Sequence, residues 1–323
     1  MVGTRSVWRI EHLKLCRYVL IATIVGLVLW PTISPAQSER FSELMNAGNA
    51  AYQSENYPDA RQNYEAAYQE ALKFGNETQQ IETALNNLAE VFRQLGGFDK
   101  AEEFLAYSLR VQRKILGDNH PEVATTLNNI GNIRLQKRDY KGAVEMLTNS
   151  LTIYDNNLPS NHPDIAKAAN NLGRAHQTLG RHAQAQYLHE RALLILNKSR
   201  PNHPDMAATP NNLAGALIAQ SRYKPAEPML KKALSIEEKK LGKSHPRVAT
   251  TLNNLGWLYF KQSRYTEAEP LARRAIQIVE AQFGPNHPAV AGNLVNYAAL
   301  LRKLGRDADA QRYIDRAKKI KAQ

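Results

Sequence analysis

The sequence has a single cysteine in 323 residues, Cys16, and it precedes the first apolar run. If the segment carrying it is removed on export, neither a disulfide nor thiol chemistry operates in the mature chain. No glycine-rich phosphate loop, HExxH or GxSxG pattern occurs, so the short signatures of nucleotide-binding loops, zinc hydrolases and serine hydrolases are missing. Glycine and proline stand at ordinary levels, 17 and 15 residues, with no low-complexity tract; most of the chain is expected to be ordered. The expectation is a protein that is not an enzyme and that needs no cofactor and no metal.

Membrane-length apolar runs are also lacking. Tyr18 to Trp30, "YVLIATIVGLVLW", is 13 residues, about 20 Å as a helix, short of the roughly 20 residues a crossing needs. Arg5, Arg9, Lys14 and Arg17 precede it and "PTISPAQ" follows, with Ser34 and Ala36 at small-residue positions. Residues 1–36 therefore read as a signal peptide with Gln37 as the first mature residue, the alternative being an uncleaved N-terminal anchor. Export to the periplasm or exterior is expected, with membrane contact only if that segment stays.

Net charge is +12, and removing the leader's four basic and one acidic residues leaves +9. Basic residues thicken at the C-terminal end, from Arg302 and Lys303 to Lys321. A basic solvated face is one reading; attraction to an acidic partner or anionic membrane is the other. Nucleic acid is not an expected partner, because charge alone is weak support for it.

What the chain does have is repetition. His-Pro occurs at positions 120, 162, 203, 245 and 287, a period of 41 or 42 residues. Ala60, Ala101, Ala143, Ala185, Ala226, Ala268 and Ala310 keep the same period. Seven residues after each comes another small one: Ala67, Ser108, Ser150, Ala192, Ala233, Ala275 and Ala317. Such self-similarity means stacked supersecondary units rather than one globular core.

Each unit reads as two helices. The first opens after turns such as "LGDNHPEV", where Gly117 or Gly284 ends the preceding helix and Pro121 or Pro288 suits the first turn. The second carries the small residues on one face, where they permit close packing. Tyr57, Phe98, Tyr140, Tyr223 and Tyr265, three before the alanine, read as packing anchors. Pro210 falls inside the first helix of the fifth copy, which is expected to start late; Pro228 and Pro270 are placed in the first turn of the second helix. The five His-Pro histidines, spaced about 10 Å apart if each repeat adds one helix-pair thickness, are too far apart to share a metal and read as caps and turns. His182 and His189 lie seven apart with no third ligand evident.

"LNNLGWLY", then "RYTEAE", then Ala275 make up a pattern that resembles the tetratricopeptide repeat. The 42-residue period, the His-Pro turn and "TLNNLG" followed by "RYTEAEPL" are similar to the lengthened variant of kinesin light chains and many bacterial proteins. The resemblance implies an all-α, right-handed α-solenoid of about seven helix-turn-helix repeats, at about 39–79, 80–119, 120–161, 162–202, 203–244, 245–286 and 287–323, filling residues 37–323. The first copy lacks the His-Pro turn and the last has Asp307 in place of the aromatic, as capping repeats do.

Asn46, Asn87, Asn129, Asn171, Asn212, Asn254 and Asn296 recur at one position in all seven copies, preceded by a second asparagine except at Met45 and Val295. Asparagine is a mediocre helix former, so its recurrence needs a cause. Stacking would align these amides in a ladder opposite the buried face. A primary amide offers one acceptor and two donors and holds peptide backbone without reading side chains. In kinesin light chains asparagines at this groove position bind peptide main chain, and the resemblance implies the same here; the competing reading is that each amide locks neighbouring repeats. The same face should carry Arg93 and Gln94, Asn132 and Gln136, Lys167, Arg174 and Gln177, Trp257, Phe260 and Lys261, and Arg302 with Lys303. The fifth copy offers Gly215 and Ile218, an apolar gap.

The expected function is a scaffold or adaptor that binds a peptide segment of a partner in a concave groove, with acidic and bulky apolar residues fitting best. The alternative is a structural envelope protein that self-associates with an empty groove.

Overall fold

The computed structural model describes residues 35–199 and 205–322. The expected leader lies outside the described residues but for its last two, as does the His203 turn. Fourteen α-helices and no strands are found among the described residues. They are α1 Pro35–Gln53, α2 Tyr57–Leu72, α3 Gln79–Gln94, α4 Phe98–Leu116, α5 Pro121–Gln136, α6 Tyr140–Asn157 and α7 Pro163–Thr178. After these come α8 His182–Ser199, α9 Asp205–Ala219, α10 Tyr223–Leu241, α11 Pro246–Lys261, α12 Tyr265–Phe283, α13 Pro288–Lys303 and α14 Asp307–Lys321. The chain divides into two compact units within α3, residues 1–84 and 85–323.

In the first unit α1 packs on α2. Tyr64 lies beneath Gly48 and donates its hydroxyl to Asn49 Oδ1 at 2.7 Å, while Ala60, Ala67 and Ala71 are fully buried between the helices.

The second unit is a solenoid of helix pairs. Each helix packs on the next, and the first helices of successive repeats also touch: α5 on α7, α7 on α9, α9 on α11. The periodic alanines and the small residues seven beyond them are all buried, at most 2% exposed, which lets the paired helices approach closely. The expected histidine caps are present: Nδ1 of His120, His162, His245 and His287 accepts the backbone N–H two residues on, at 3.1–3.2 Å. This satisfies one of the orphan donors of each helix start. Gly117 and Gly284 end their helices at φ 85° and 90°, conformations that disfavour any side chain.

Ionic joints tie several repeats of this unit to the one before. Arg274 pairs with Glu238 and Arg316 with Glu280, both at 2.6 Å, and Arg191 with Asp155, in each case one second helix to the preceding second helix. At the other edge Glu227 accepts from Arg264 at 2.8 Å and from the Tyr259 hydroxyl at 3.1 Å; Glu269 accepts likewise from Arg306 and Tyr297. The Arg264 and Lys231 contacts hold the Glu227 carboxyl down to about 2. These acids directly follow the periodic alanine in "AE", a signal the spacing analysis passed over.

Two prolines sit deeper than expected, and a third is buried. α9 is described from Asp205 and runs through the buried Pro210. Pro228 and Pro270 are the sixth residues of α10 and α12, beyond the first turn. Both lie on the solvent side, as do Lys224 and Thr266 four residues back, so water can satisfy the carbonyls a missing N–H leaves open. Pro210 itself is buried. Pro210→Ala, the residue type of Ala169, is expected to restore one helical bond and stabilise by about 1 kcal/mol, read as a raised melting temperature; an unchanged or lower one would contradict this.

Candidate functional site

The paired asparagines form a directional amide chain. Asn171 Nδ2 donates to Asn128 Oδ1 at 3.1 Å, Asn212 Nδ2 to Asn170 Oδ1 at 3.2 Å, and Asn254 Nδ2 to Asn211 Oδ1 at 2.9 Å. The second asparagine of one repeat thus donates to the first asparagine of the repeat before it. This accounts for the pair: one amide reaches back and the other waits to be reached. The first asparagines, missed as working residues by the sequence reading, are the acceptors.

One donor per ladder amide is used in this way. The remaining N–H and the carbonyl of Asn171, Asn212 and Asn254 have no partner among the described residues. The lock exists, and the amides still have hydrogen-bonding capacity to offer.

At the last interface the direction reverses. Asn253 Nδ2 donates forward to Asn293 Oδ1 at 2.8 Å, and the exposed Asn296 bonds nothing among the described residues. Val295 supplies no amide to a further repeat, so the chain of bonds ends there. Asn87 lies half-buried on α3, and Asn46 is exposed on α1 in the first unit.

A groove of about 420 Å³ opens in the second unit across α3, α5 and α7. It brings together Arg93, Asn129, Asn132, Gln136, Lys167, Asn171 and Arg174, residues from three repeats that the sequence placed on one face. Lys167 and Arg174, seven apart on α7, have no acidic partner among the described residues. Arg93 differs: its guanidinium is held by Glu90 at 2.8 Å one turn back, so that station is nearly neutral. The pair was readable as an i, i+3 contact.

Further along, Trp257 is 44% exposed, stacks on Phe260 at 5.2 Å and 8°, and carries Lys261 Nζ 4.8 Å above its ring. Ile218 is not on the groove face; it is buried in the core with Leu217 and Leu258, because the apolar stripe of α9 is wide enough to draw it in. A recess of about 550 Å³ lies between α10 and α12, but its Arg274 is already committed to Glu238 and to the Lys243 carbonyl at 3.1 Å.

His189 is a deeply buried titratable group beside the ladder. Its Nδ1 lies 2.7 Å from Asn170 Oδ1, the same oxygen that accepts from Asn212. Two donors therefore converge on one carbonyl, which fixes the proton on Nδ1. Nε2 is buried with no partner among the described residues. Burial, reinforced by the Arg174 charge, pushes its pKa down to about 4. This histidine is a core residue and not a ligand. Among the described residues no three His, Cys, Asp or Glu side chains gather as a metal site.

A profile of the tetratricopeptide repeat matches six overlapping stretches: 41–106, 80–156, 133–198, 164–239, 205–281 and 248–323. The chain belongs to the tetratricopeptide repeat family. Within it, this repeat protein is of the kinesin light chain-like kind. It is similar to a variant of the Podosopora anserina "putative kinesin light chain nearly identical TPR-like repeats", at 25% identity over 62% of this chain and 95% of that one, TM-score 0.54. BtubC (BKLC) from P. vanneervenii is 23% identical over 71% of this chain and 90% of its own, TM-score 0.56. The Rap conjugation gene regulator of plasmid pLS20, solved with the Phr* peptide, shares the fold at 13% identity over 99% of this chain and 86% of its own, TM-score 0.62. No curated protein matches the sequence.

Proposed function

We propose that this repeat protein is a scaffold that captures an extended segment of a partner protein, noncovalently, in the groove walled by α3, α5 and α7. The observation that carries the reading is the juxtaposition of Asn129, Asn171, Lys167 and Arg174 around one opening. Amides suit the backbone of the segment; the two unpaired cations suit acidic side chains. A solved chain of the same fold holds a peptide, so the fold is compatible with such a ligand. Catalysis has no candidate group in the groove, where amides and cations predominate.

The test is selection of peptides from a random display library on the full chain and on a Lys167→Glu, Arg174→Glu variant, which leaves every ladder bond intact. Acid-containing peptides are expected on the parent and a loss of about tenfold or more in affinity on the variant, with equal melting temperatures. Selection of nothing on the parent would sink the proposal. Asn129→Ala, Asn171→Ala and Asn254→Ala together are expected to lower both binding and melting temperature, since Asn171 and Asn254 also join repeats at about 1 kcal/mol per bond.

Export is proposed from the leader alone. N-terminal sequencing of the protein from its producing cells should begin at Gln37; Met1 would argue for an anchor. Among the described residues no helix is long and apolar enough to cross a membrane.

A further inference from the structure

Four residues after each periodic alanine, the second helix places a side chain toward its own first helix. Leu147 and His189 lie there directly against Gly131 and Gly173: a Cβ on those glycines would stand 2.5 and 2.6 Å from them. Tyr64 fills the same position under Gly48 in the first unit. Where the first helix has alanine instead, at Ala89, Ala214 and Ala298, the register opposes Leu105, Leu230 and Ile314. Every such position thus has a large residue on one side. The sixth repeat is small on both, Gly256 opposite Ala272, and a Cβ on Gly256 would meet nothing closer than the Ala268 carbonyl at 3.7 Å.

The unfilled space emerges as a recess of about 30 Å³ between Gly256 and Ala272, walled by Trp257, Phe260 and Leu300. Protein interiors close such gaps when they can; here the stacked Trp257 and Phe260 form one wall. The rim is polar and unsatisfied. Among the described residues Asn253 uses Nδ2 on Asn293 and leaves Oδ1 without a donor, and Asn296 leaves its whole amide. Lys261, Arg302 and Lys303 are exposed with no acidic partner among the described residues, and the last two continue the α13 helix that carries Asn296 and Leu300.

We infer that this recess is a specificity pocket for one small apolar side chain, alanine to valine in size, on an extended acidic segment whose backbone bonds Asn253 and Asn296. It rests on the reading of the groove as a peptide site and narrows it. The volume corresponds to about two waters, enough for a methyl or isopropyl group and too little for leucine or an aromatic ring. The bulky apolar residues expected from the sequence do not fit here.

The experiment uses the full chain with Trp8→Phe and Trp30→Phe, so that Trp257 is the only tryptophan left. Random peptides are selected on this protein and on the same protein with Ala272→Leu, which installs the residue type of Leu105, Leu147 and Leu230 and should melt no lower. Expected are parent-selected peptides with alanine or valine at a fixed register beside Asp or Glu. They should shift Trp257 emission on binding and lose about tenfold in affinity on Ala272→Leu. Gly256→Ala, which intrudes less, should give a smaller loss. Selected peptides with leucine or aromatics at that register, or binding indifferent to Ala272→Leu, would overturn the pocket while leaving the groove reading intact. Failure to select any peptide would overturn both.

Discussion

Between pH 6.5 and 4 the protein is expected to lose about 3 kcal/mol of stability through His189 alone, and His189→Leu to abolish that part of the loss. The folded imidazole sits near pKa 4 against an ordinary 6.5, so the folded state binds fewer protons than the unfolded chain as pH falls through this window. A depressed histidine pKa therefore gives stability that is complete above pH 6.5, declines down to about 4 and is flat below; each unit is worth about 1.4 kcal/mol. The physical cause is burial at 0% exposure with Nε2 facing no acceptor. A proton there would be a charge in a closed space beside Arg174. Leucine fills the equivalent place in Leu147, and Asn170 would keep its bond from Asn212. Denaturation followed by circular dichroism at pH 7, 6, 5 and 4 decides it. Parallel pH profiles for parent and variant would show that His189 carries no such cost.

The glycines of the first helices should respond to alanine in opposite directions. Gly131→Ala and Gly173→Ala are expected to cost about 2 kcal/mol each, and Gly256→Ala to stabilise by up to about 1. Glycine within a helix costs about 1 kcal/mol relative to alanine, so the intrinsic change is favourable at all three sites. At Gly131 the new methyl would stand 2.5 Å from Leu147 Cγ, a branched carbon fully buried and unable to turn away, and at Gly173 it would stand 2.6 Å from the His189 ring. Overpacking of that kind costs more than the helix gains. At Gly256 the methyl would meet the Ala268 carbonyl, Leu271 Cβ and Ala272 N at 3.7–4.0 Å, ordinary van der Waals contact with no overlap. Melting temperatures of the three single variants check this directly; a fall at Gly256 equal to that at Gly131 would remove the packing argument and the recess with it.

Much of the fold could be read from spacing. Alanines at 41- or 42-residue intervals with small partners seven beyond, His-Pro turns and a closing glycine all act within one repeat, where helical geometry alone fixes which residues share a face. That Asn129, Lys167, Asn171 and Arg174 share one face was legible in the same way, and they line one opening. What spacing could not reveal was the state of each group once assembled. Ile218 is taken into the core, and Pro228 and Pro270 sit a turn deeper than their helices' starts suggested.

The sequence by itself determined that this is a stack of helix pairs with asparagines in register, because propensity, capping and periodicity are local. Only the tertiary structure decided which amide donates to which, why His189 is held neutral, and that Gly256 and Ala272 leave a space. Each of those depends on side chains from different helices, as far as about 40 residues apart in the chain, meeting at hydrogen-bond or contact distance, and no periodicity along a single chain encodes how two surfaces fill the room between them.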